Sequence, residues 1–115
     1  MNQSQNREHE FIKYVEEMLM DYEINKELIT VASTLSKKLN SLSACDPVCR
    51  IVITFVFLNK FVSDHIFSLD WICCLFNIDV TYFKKIEIDI LKDYLNNYEL
   101  FHSHVGLTYL LEVSP

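Results

Sequence analysis

The sequence predicts an all-α fold in a single domain. Of its 115 residues, 50% are hydrophobic, which supplies one sizeable core and leaves no room for a second domain of ordinary size. One glycine and two prolines leave few of the tight turns that β-hairpins and glycine-rich phosphate loops require. Apolar residues recur at helical spacing in successive segments. These three observations favour helices from one end of the domain to the other.

The first two helices are predicted to be amphipathic. Residues 1–8 are polar and are expected to be disordered. A first helix is predicted over residues 9–22, and Asn25 is suited to cap the start of a second. The predicted buried stripes are Phe11, Ile12, Val15, Met18, Leu19 and Tyr22 in the first helix and Leu28, Val31, Ala32, Leu35 and Leu39 in the second.

The third helix is predicted to form the centre of the domain. It lies in residues 45–64, which read CDPVCRIVITFVFLNKFVSD. Asp46 followed by Pro47 is a favourable start for a helix, because the carboxylate accepts a free backbone N–H and proline has none to leave unpaired. Apolar residues then fall on every side of the helix. The β-branched run at residues 51–56 keeps a buried strand open as the alternative.

Two more helices are predicted to complete the domain. Ser68 is a candidate cap for a short fourth helix over residues 69–76, which is expected to be almost completely buried. Asp79 is the candidate cap of the fifth helix, and Glu87 lies at the margin of its apolar stripe. That stripe is predicted to contain Phe83, Ile86, Ile90, Leu91, Tyr94 and Leu95.

The charge balance excludes several classes of partner. A net charge of −6 disfavours binding to nucleic acid or to anionic membranes. The longest apolar run, residues 51–58, is far too short to cross a bilayer, and no signal sequence is recognised. The sequence therefore predicts a soluble intracellular protein, nuclear or cytoplasmic or both, whose partners are other proteins.

No catalytic, metal or cofactor site is predicted. The chain shows no nucleophile with a base at a recognisable spacing and no glycine-rich loop. Its four cysteines are interpreted as buried free thiols, because the adjacent Cys73 and Cys74 point in different directions on a helix. His102 and His104 have no accompanying ligands at metal-binding spacing. An enzyme is therefore not expected.

Several short stretches resemble the cyclin box. Residues 57–64 (FLNKFVSD) are similar to the family's lysine-phenylalanine run followed by an acidic residue. Residues 79–91 (DVTYFKKIEIDIL) resemble its fifth helix, with the hallmark glutamate at Glu87, while residues 68–71 and 98–101 resemble the start of its fourth helix and the end of the box. The resemblance covers residues 9–101, followed by a short C-terminal segment over residues 102–115. It is closest to single-box cyclins typified by the fungal phosphate-regulatory cyclin and the plant P- and U-type cyclins.

This resemblance implies a single cyclin box of five helices around a central hydrophobic third helix. It also implies a regulatory subunit that forms a heterodimer with a cyclin-dependent protein kinase and activates it by packing on its C-helix. Kinase substrates or inhibitors are possible further partners. The implied kinase-binding residues are the charged pair Lys60 and Glu87, the apolar contacts Phe57, Phe61, Phe83 and Leu91, and the rim residues Asp64 and Lys84.

Two alternatives accompany this interpretation. Lys60 and Glu87 also suit a plain ion pair within the chain or separate exposure to solvent, and Phe57 and Leu91 suit the core. The alternative function is a cyclin-fold scaffold for protein interactions that does not activate a kinase, and the presence of both Lys60 and Glu87 argues against it. Leu58, at a position where the family usually has alanine, leaves that second function open.

Overall fold

Five helices form the part of the chain that the structure describes. The computed structural model describes residues 3–20, 24, 26–39, 42, 44–62 and 67–96, and it has no strand among them. The predicted all-α fold class is therefore confirmed for these residues. The helices are α1 (Gln3–Met18), α2 (Lys26–Ser36), α3 (Pro47–Val62), α4 (Leu69–Phe76) and α5 (Val80–Asn96).

Side-chain caps fix the starts of the last three helices. Asp46 Oδ2 accepts hydrogen bonds from two backbone N–H groups in the first turn of α3, at 3.2 and 3.4 Å. Ser68 Oγ accepts the N–H of Trp71 at 3.4 Å, and Asp79 Oδ2 accepts the N–H of Tyr82 at 2.9 Å. Each bond satisfies a donor that the helix itself leaves unpaired. These three predicted caps are confirmed, whereas the fourth, Asn25, lies outside the described residues.

Helix α3 lies at the centre of the packing. Every residue from 51 to 59 is buried, and the helix packs against α1, α2 and α5. A helix that is apolar on every side is stable in water only when other helices surround it. The strand alternative for residues 51–56 is wrong, because this segment lies within the continuous helix Pro47–Val62.

Helix α1 begins earlier than its apolar spacing predicts. It starts at Gln3 rather than at residue 9, so most of the segment expected to be disordered belongs to the helix. Its glutamine, arginine and glutamate residues favour helix, and no glycine or proline interrupts them. Glu8 also fastens this end of α1 to α2, because its carboxylate accepts the Ser33 hydroxyl at 3.0 Å and pairs with Lys37. The stripe predicted for α2 is buried throughout.

Helix α4 is less buried than predicted. Ile72 and Cys73 are buried, whereas Cys74 is exposed and the remaining apolar residues are only partly covered. The helix has eight residues, so one face meets the core and the other stays at the surface. Asn77 ends it in the left-handed conformation, with φ at 55°, and donates its N–H to the Cys74 carbonyl at 3.4 Å.

Three of the four free thiols are buried, as predicted, and Cys74 is the exception. Burial, followed by the neighbouring Cys45 thiol, raises the pKa of Cys49 to about 12. Burial likewise raises the pKa of Cys73. Cys45 Sγ lies 3.1 Å from the Tyr82 hydroxyl, and this hydrogen bond is the main reason that the pKa of Tyr82 is raised to about 12. Cys49, Cys73 and Tyr82 are therefore neutral at physiological pH.

Candidate docking groove between α3 and α5

The predicted pair Lys60 and Glu87 is formed in the structure. Lys60 is in the last turn of α3 and Glu87 is in the middle of α5, and Lys60 Nζ donates to Glu87 Oε2 at 2.9 Å. Their side chains are 47% and 22% exposed, so the pair lies at the surface. Exposed pairs of this kind stabilise a fold by about 0.2–1 kcal/mol. The fold therefore gains little from the pair.

The charged pair borders an apolar groove of about 290 Å³. The groove lies between the end of α3 and the second half of α5, and its walls are apolar apart from the pair itself. Five of the eight residues that the sequence assigned to kinase binding line it. The full lining is Phe57, Lys60, Phe61, Glu87, Ile88 and Leu91.

Three aromatic rings hold the floor of the groove in place. The ring centroids of Phe57 and Phe61 are 5.3 Å apart, and those of Phe61 and Tyr94 are 5.5 Å apart. The ring centroids of Phe57 and Tyr94 are 6.1 Å apart, so each ring contacts the other two. Such aromatic pairs add about 0.5–1.5 kcal/mol each beyond the area that they bury. Phe61 is therefore held firmly although 44% of it is exposed.

The outer face of α5 is apolar and exposed, which corrects part of the predicted stripe. Leu91 is 44% exposed and Leu95 is 69% exposed, whereas the sequence placed both in the core. Ile86 and Ile90, which belong to the same predicted stripe, are buried as expected and lie on the adjacent face of the helix. Residues at positions i, i+3, i+4 and i+7 share a face, so Leu91 and Leu95 extend the face that begins with Ile88.

Phe83 lies beneath the charged pair rather than in the groove. Its side chain is completely buried, so the structure corrects its assignment as an apolar contact for a partner. It lines a smaller cavity of about 130 Å³ on the inner side of Lys60 and Glu87. Its place in the inward stripe of α5, three residues before Ile86, accounts for this burial. Phe83 supports the site from the core.

Of the two predicted rim residues, the structure describes Lys84 but not Asp64. Lys84 is exposed on α5, one turn before Glu87 and Ile88, and it extends the face that carries the groove. Asp64 lies outside the described residues, as do residues 98–101, His102 and His104. Lys84 is therefore a cation beside the groove, in keeping with its assignment to the rim.

Ile88 is a groove residue that the sequence analysis missed. It is 54% exposed and contributes to the wall between Glu87 and Leu91. Its position four residues after Lys84 and three before Leu91 places it on the same helical face as both. The helical spacing from Lys84 and Leu91 places Ile88 on this face, whereas the periodicity of a buried stripe does not indicate an apolar residue on the outer side.

The described part of the chain contains neither a cluster of metal ligands nor a helix suited to span a membrane. None of its His, Cys, Asp and Glu side chains come together in a group of three that could hold a metal ion. Within the same ranges, no helix combines the length and the apolar character that crossing a membrane requires. The Lys60–Glu87 groove is therefore the candidate site that both sequence and geometry single out.

Comparison with known proteins gives no match. No protein-family model matches the chain, and neither a curated protein nor a solved structure matches it. A function must therefore rest on the groove and on the cyclin-like residues that form it.

Proposed function

We propose that the chain is a cyclin-type regulatory subunit that binds and activates a cyclin-dependent protein kinase. The observation that carries the proposal is the meeting of Lys60 with Glu87 at 2.9 Å on the edge of an apolar groove. These two residues are 27 positions apart and were selected by their resemblance to the cyclin box. On this proposal the five helices form a single cyclin box.

The groove has the properties that a docking helix needs. Phe61, Ile88 and Leu91 form an exposed apolar row between α3 and α5. An amphipathic helix binds such a groove with a few large side chains, and aromatic residues often supply most of the binding energy. Phe61 suits that role because its ring is already fixed by its aromatic neighbours and loses little conformational freedom on binding.

The charged pair would fix the position of the docked helix. Lys60 offers ammonium donors and Glu87 offers carboxylate acceptors, which suit the unpaired backbone groups at a helix end. Because the pair contributes little while exposed, its groups can turn to a partner at small cost. Once a partner covers them, hydrogen bonds to these charges become stronger and more selective.

The mechanism is regulatory. A cyclin bound beside the kinase C-helix holds that helix inward, so that its glutamate pairs with the catalytic lysine of the kinase. The same contact favours the productive arrangement of the activation segment. The catalytic groups all belong to the kinase in this mechanism, and the chain described here positions the C-helix and the activation segment of the kinase.

A scaffold without kinase activation is the second candidate. Lys60 and Glu87 already satisfy each other, so their pairing is also consistent with a structural role. The apolar row formed by Phe61, Ile88 and Leu91 would accept an amphipathic helix from a protein other than a kinase. The two functions differ in one measurable respect, which is the stimulation of kinase activity.

The test is capture of a kinase from extracts of cells that express the chain, using the unaltered protein and the double variant Lys60→Glu, Glu87→Lys. The double variant keeps an internal ion pair and the net charge, so its helicity by circular dichroism should be unchanged. The control variant Glu8→Lys, Lys37→Glu makes the same exchange in the ion pair between α1 and α2. Retained kinases are identified by mass spectrometry and assayed on a peptide substrate.

The proposal predicts that the unaltered chain and the control retain a cyclin-dependent kinase and stimulate it, while the Lys60–Glu87 exchange loses both properties. Retention of the kinase without stimulation, or loss of some other protein in the exchange variant alone, would favour the scaffold. Failure of the unaltered chain to retain any kinase, or equal retention by the exchange variant, would refute the proposed interface.

A further inference from the structure

Arg50 is an unusual residue for its position. It lies in the first turn of α3, directly before the buried run of residues 51–59. Its Nε atom is shielded from solvent and has no hydrogen-bond partner among the described residues. None of their carboxylates lies within 4.0 Å of its guanidinium group. The Arg50 side chain is half-buried, and no carboxylate of the described residues compensates its charge.

A cavity of about 290 Å³ lies beside Arg50, among α1, α2 and α3. Glu8, Ser33 and Lys37 form its polar wall, and Phe11 is among its apolar lining residues. The volume is close to the lower end of small-molecule sites, which run from about 300 to 1,000 Å³. The cavity therefore suits a small charged group, or the tip of a larger molecule, better than a whole nucleotide.

The uncompensated charge in this cavity is positive. Lys37 and Glu8 neutralise each other in an ion pair, and the Ser33 hydroxyl also donates to Glu8, at 3.0 Å. The guanidinium group of Arg50 is a cation. Its planar fork of N–H donors matches the oxygens of a phosphate group or a carboxylate. Lys37 and Ser33 also line the cavity, where both donate to the Glu8 carboxylate.

We infer that this cavity is a binding site for a phosphate group, either as inorganic phosphate or as a phosphomonoester. A phosphate dianion offers three terminal oxygens, which suits a guanidinium fork on one side and an ammonium and a hydroxyl on the other. A carboxylate has two oxygens, and one carboxylate, that of Glu8, already occupies the Lys37 side. Binding at Arg50 compensates its charge, and Glu8 competes with the phosphate for Lys37.

The chain is well suited to a direct test, because Arg7 and Arg50 are its two arginines. In the ¹⁵N-labelled full chain, each arginine gives one side-chain Nε–Hε signal, and the variant Arg50→Lys assigns them. Inorganic phosphate is titrated at constant ionic strength, with chloride replacing it in the reference. We expect the Arg50 signal to move saturably and the Arg7 signal to stay almost unchanged.

Variants then measure how much each side chain contributes to the phosphate affinity. The affinity of each variant is obtained from the backbone amide chemical shifts during the titration. Arg50→Gln should weaken phosphate binding about tenfold or more, because it removes a charged donor pair, and Arg7→Gln should leave the affinity unchanged. Glu8→Gln should strengthen binding severalfold, since it removes the competing carboxylate. If Arg50→Gln proves unfolded by circular dichroism, Arg50→Lys keeps the charge and should still bind more weakly than the unaltered chain.

Inorganic phosphate, O-phosphoserine and acetate are compared as ligands. They distinguish free phosphate from a phosphorylated partner, and they test whether a carboxylate binds equally well. Tighter binding of O-phosphoserine than of inorganic phosphate would place the phosphate on a partner protein, and equal binding would point to free phosphate. Acetate binding as tight as phosphate would overturn the assignment of ligand class. An Arg50 signal that does not move, or that moves no more than Arg7, would overturn the site itself. None of these measurements requires a kinase, so they are independent of the proposed function.

Discussion

Alanine substitutions at Ile90 and Leu91, made one at a time, distinguish the core of the domain from its proposed docking surface. The two residues are adjacent on α5 and similar in size, yet Ile90 is fully buried and Leu91 is 44% exposed. Ile90→Ala leaves a cavity in the core and should lower the free energy of unfolding by about 2–5 kcal/mol. Leu91→Ala gives up only part of the roughly 1.5–3 kcal/mol of a fully buried leucine, so we expect a loss of about 1 kcal/mol or less.

Urea denaturation followed by circular dichroism at 222 nm measures both values, with the slope of the transition as a check on two-state unfolding. A small domain has about 5–15 kcal/mol of stability, so the Ile90 variant should show a much lower midpoint and the Leu91 variant a nearly normal one. Leu91→Ala should nevertheless weaken capture of the kinase. Equal destabilisation by the two substitutions would refute the placement of Leu91 on the surface, and with it the groove.

Three further predictions concern ionisation, reactivity and capping. Stability should fall as the pH rises from about 9 towards 12, because Cys49 and Tyr82 have pKa values raised to about 12 in the folded protein, so the unfolded chain releases these protons first; urea midpoints that stay constant from pH 8 to pH 11 would contradict this. Limited alkylation with iodoacetamide, followed by peptide mass spectrometry, should modify the exposed Cys74 before the three buried cysteines, and earlier modification of a buried cysteine would show that the burial is wrong. Asp79→Ala should lower the free energy of unfolding by about 1 kcal/mol through loss of the α5 cap, while Asp79→Asn should retain most of the stability, and an unchanged free energy of unfolding in Asp79→Ala would show that the cap contributes nothing.

The helix starts were predictable because they depend on neighbouring residues. A cap is a contact between one side chain and a backbone N–H two or three residues later, so the capping roles of Asp46, Ser68 and Asp79 can be predicted from the sequence. The start of α1 was not, because the apolar period says nothing about a polar first turn. There the contact of Glu8 with Ser33 and Lys37, on another helix, adds support that no local pattern reveals.

The candidate site was predictable only in part, because exposure depends on tertiary packing. The family resemblance selected Lys60 and Glu87, which meet although they are 27 residues apart. Periodicity could not decide which apolar side of α5 would face the core. It assigned Leu91 to a buried stripe and overlooked Ile88, since a helix with apolar residues on two faces buries whichever face its neighbours cover.

The two proposed sites share one physical cause in α3. Arg50 and Lys60 are the charged residues of that helix, and they stand immediately before and after the buried run of residues 51–59. Charges are excluded from the middle of such a helix and are tolerated where it reaches the surface. Ten residues of helix separate them by about 15 Å along its axis, so each belongs to a different surface. Lys60 forms an ion pair with Glu87, whereas Arg50 has no counterion among the described residues. This difference favours a ligand at Arg50.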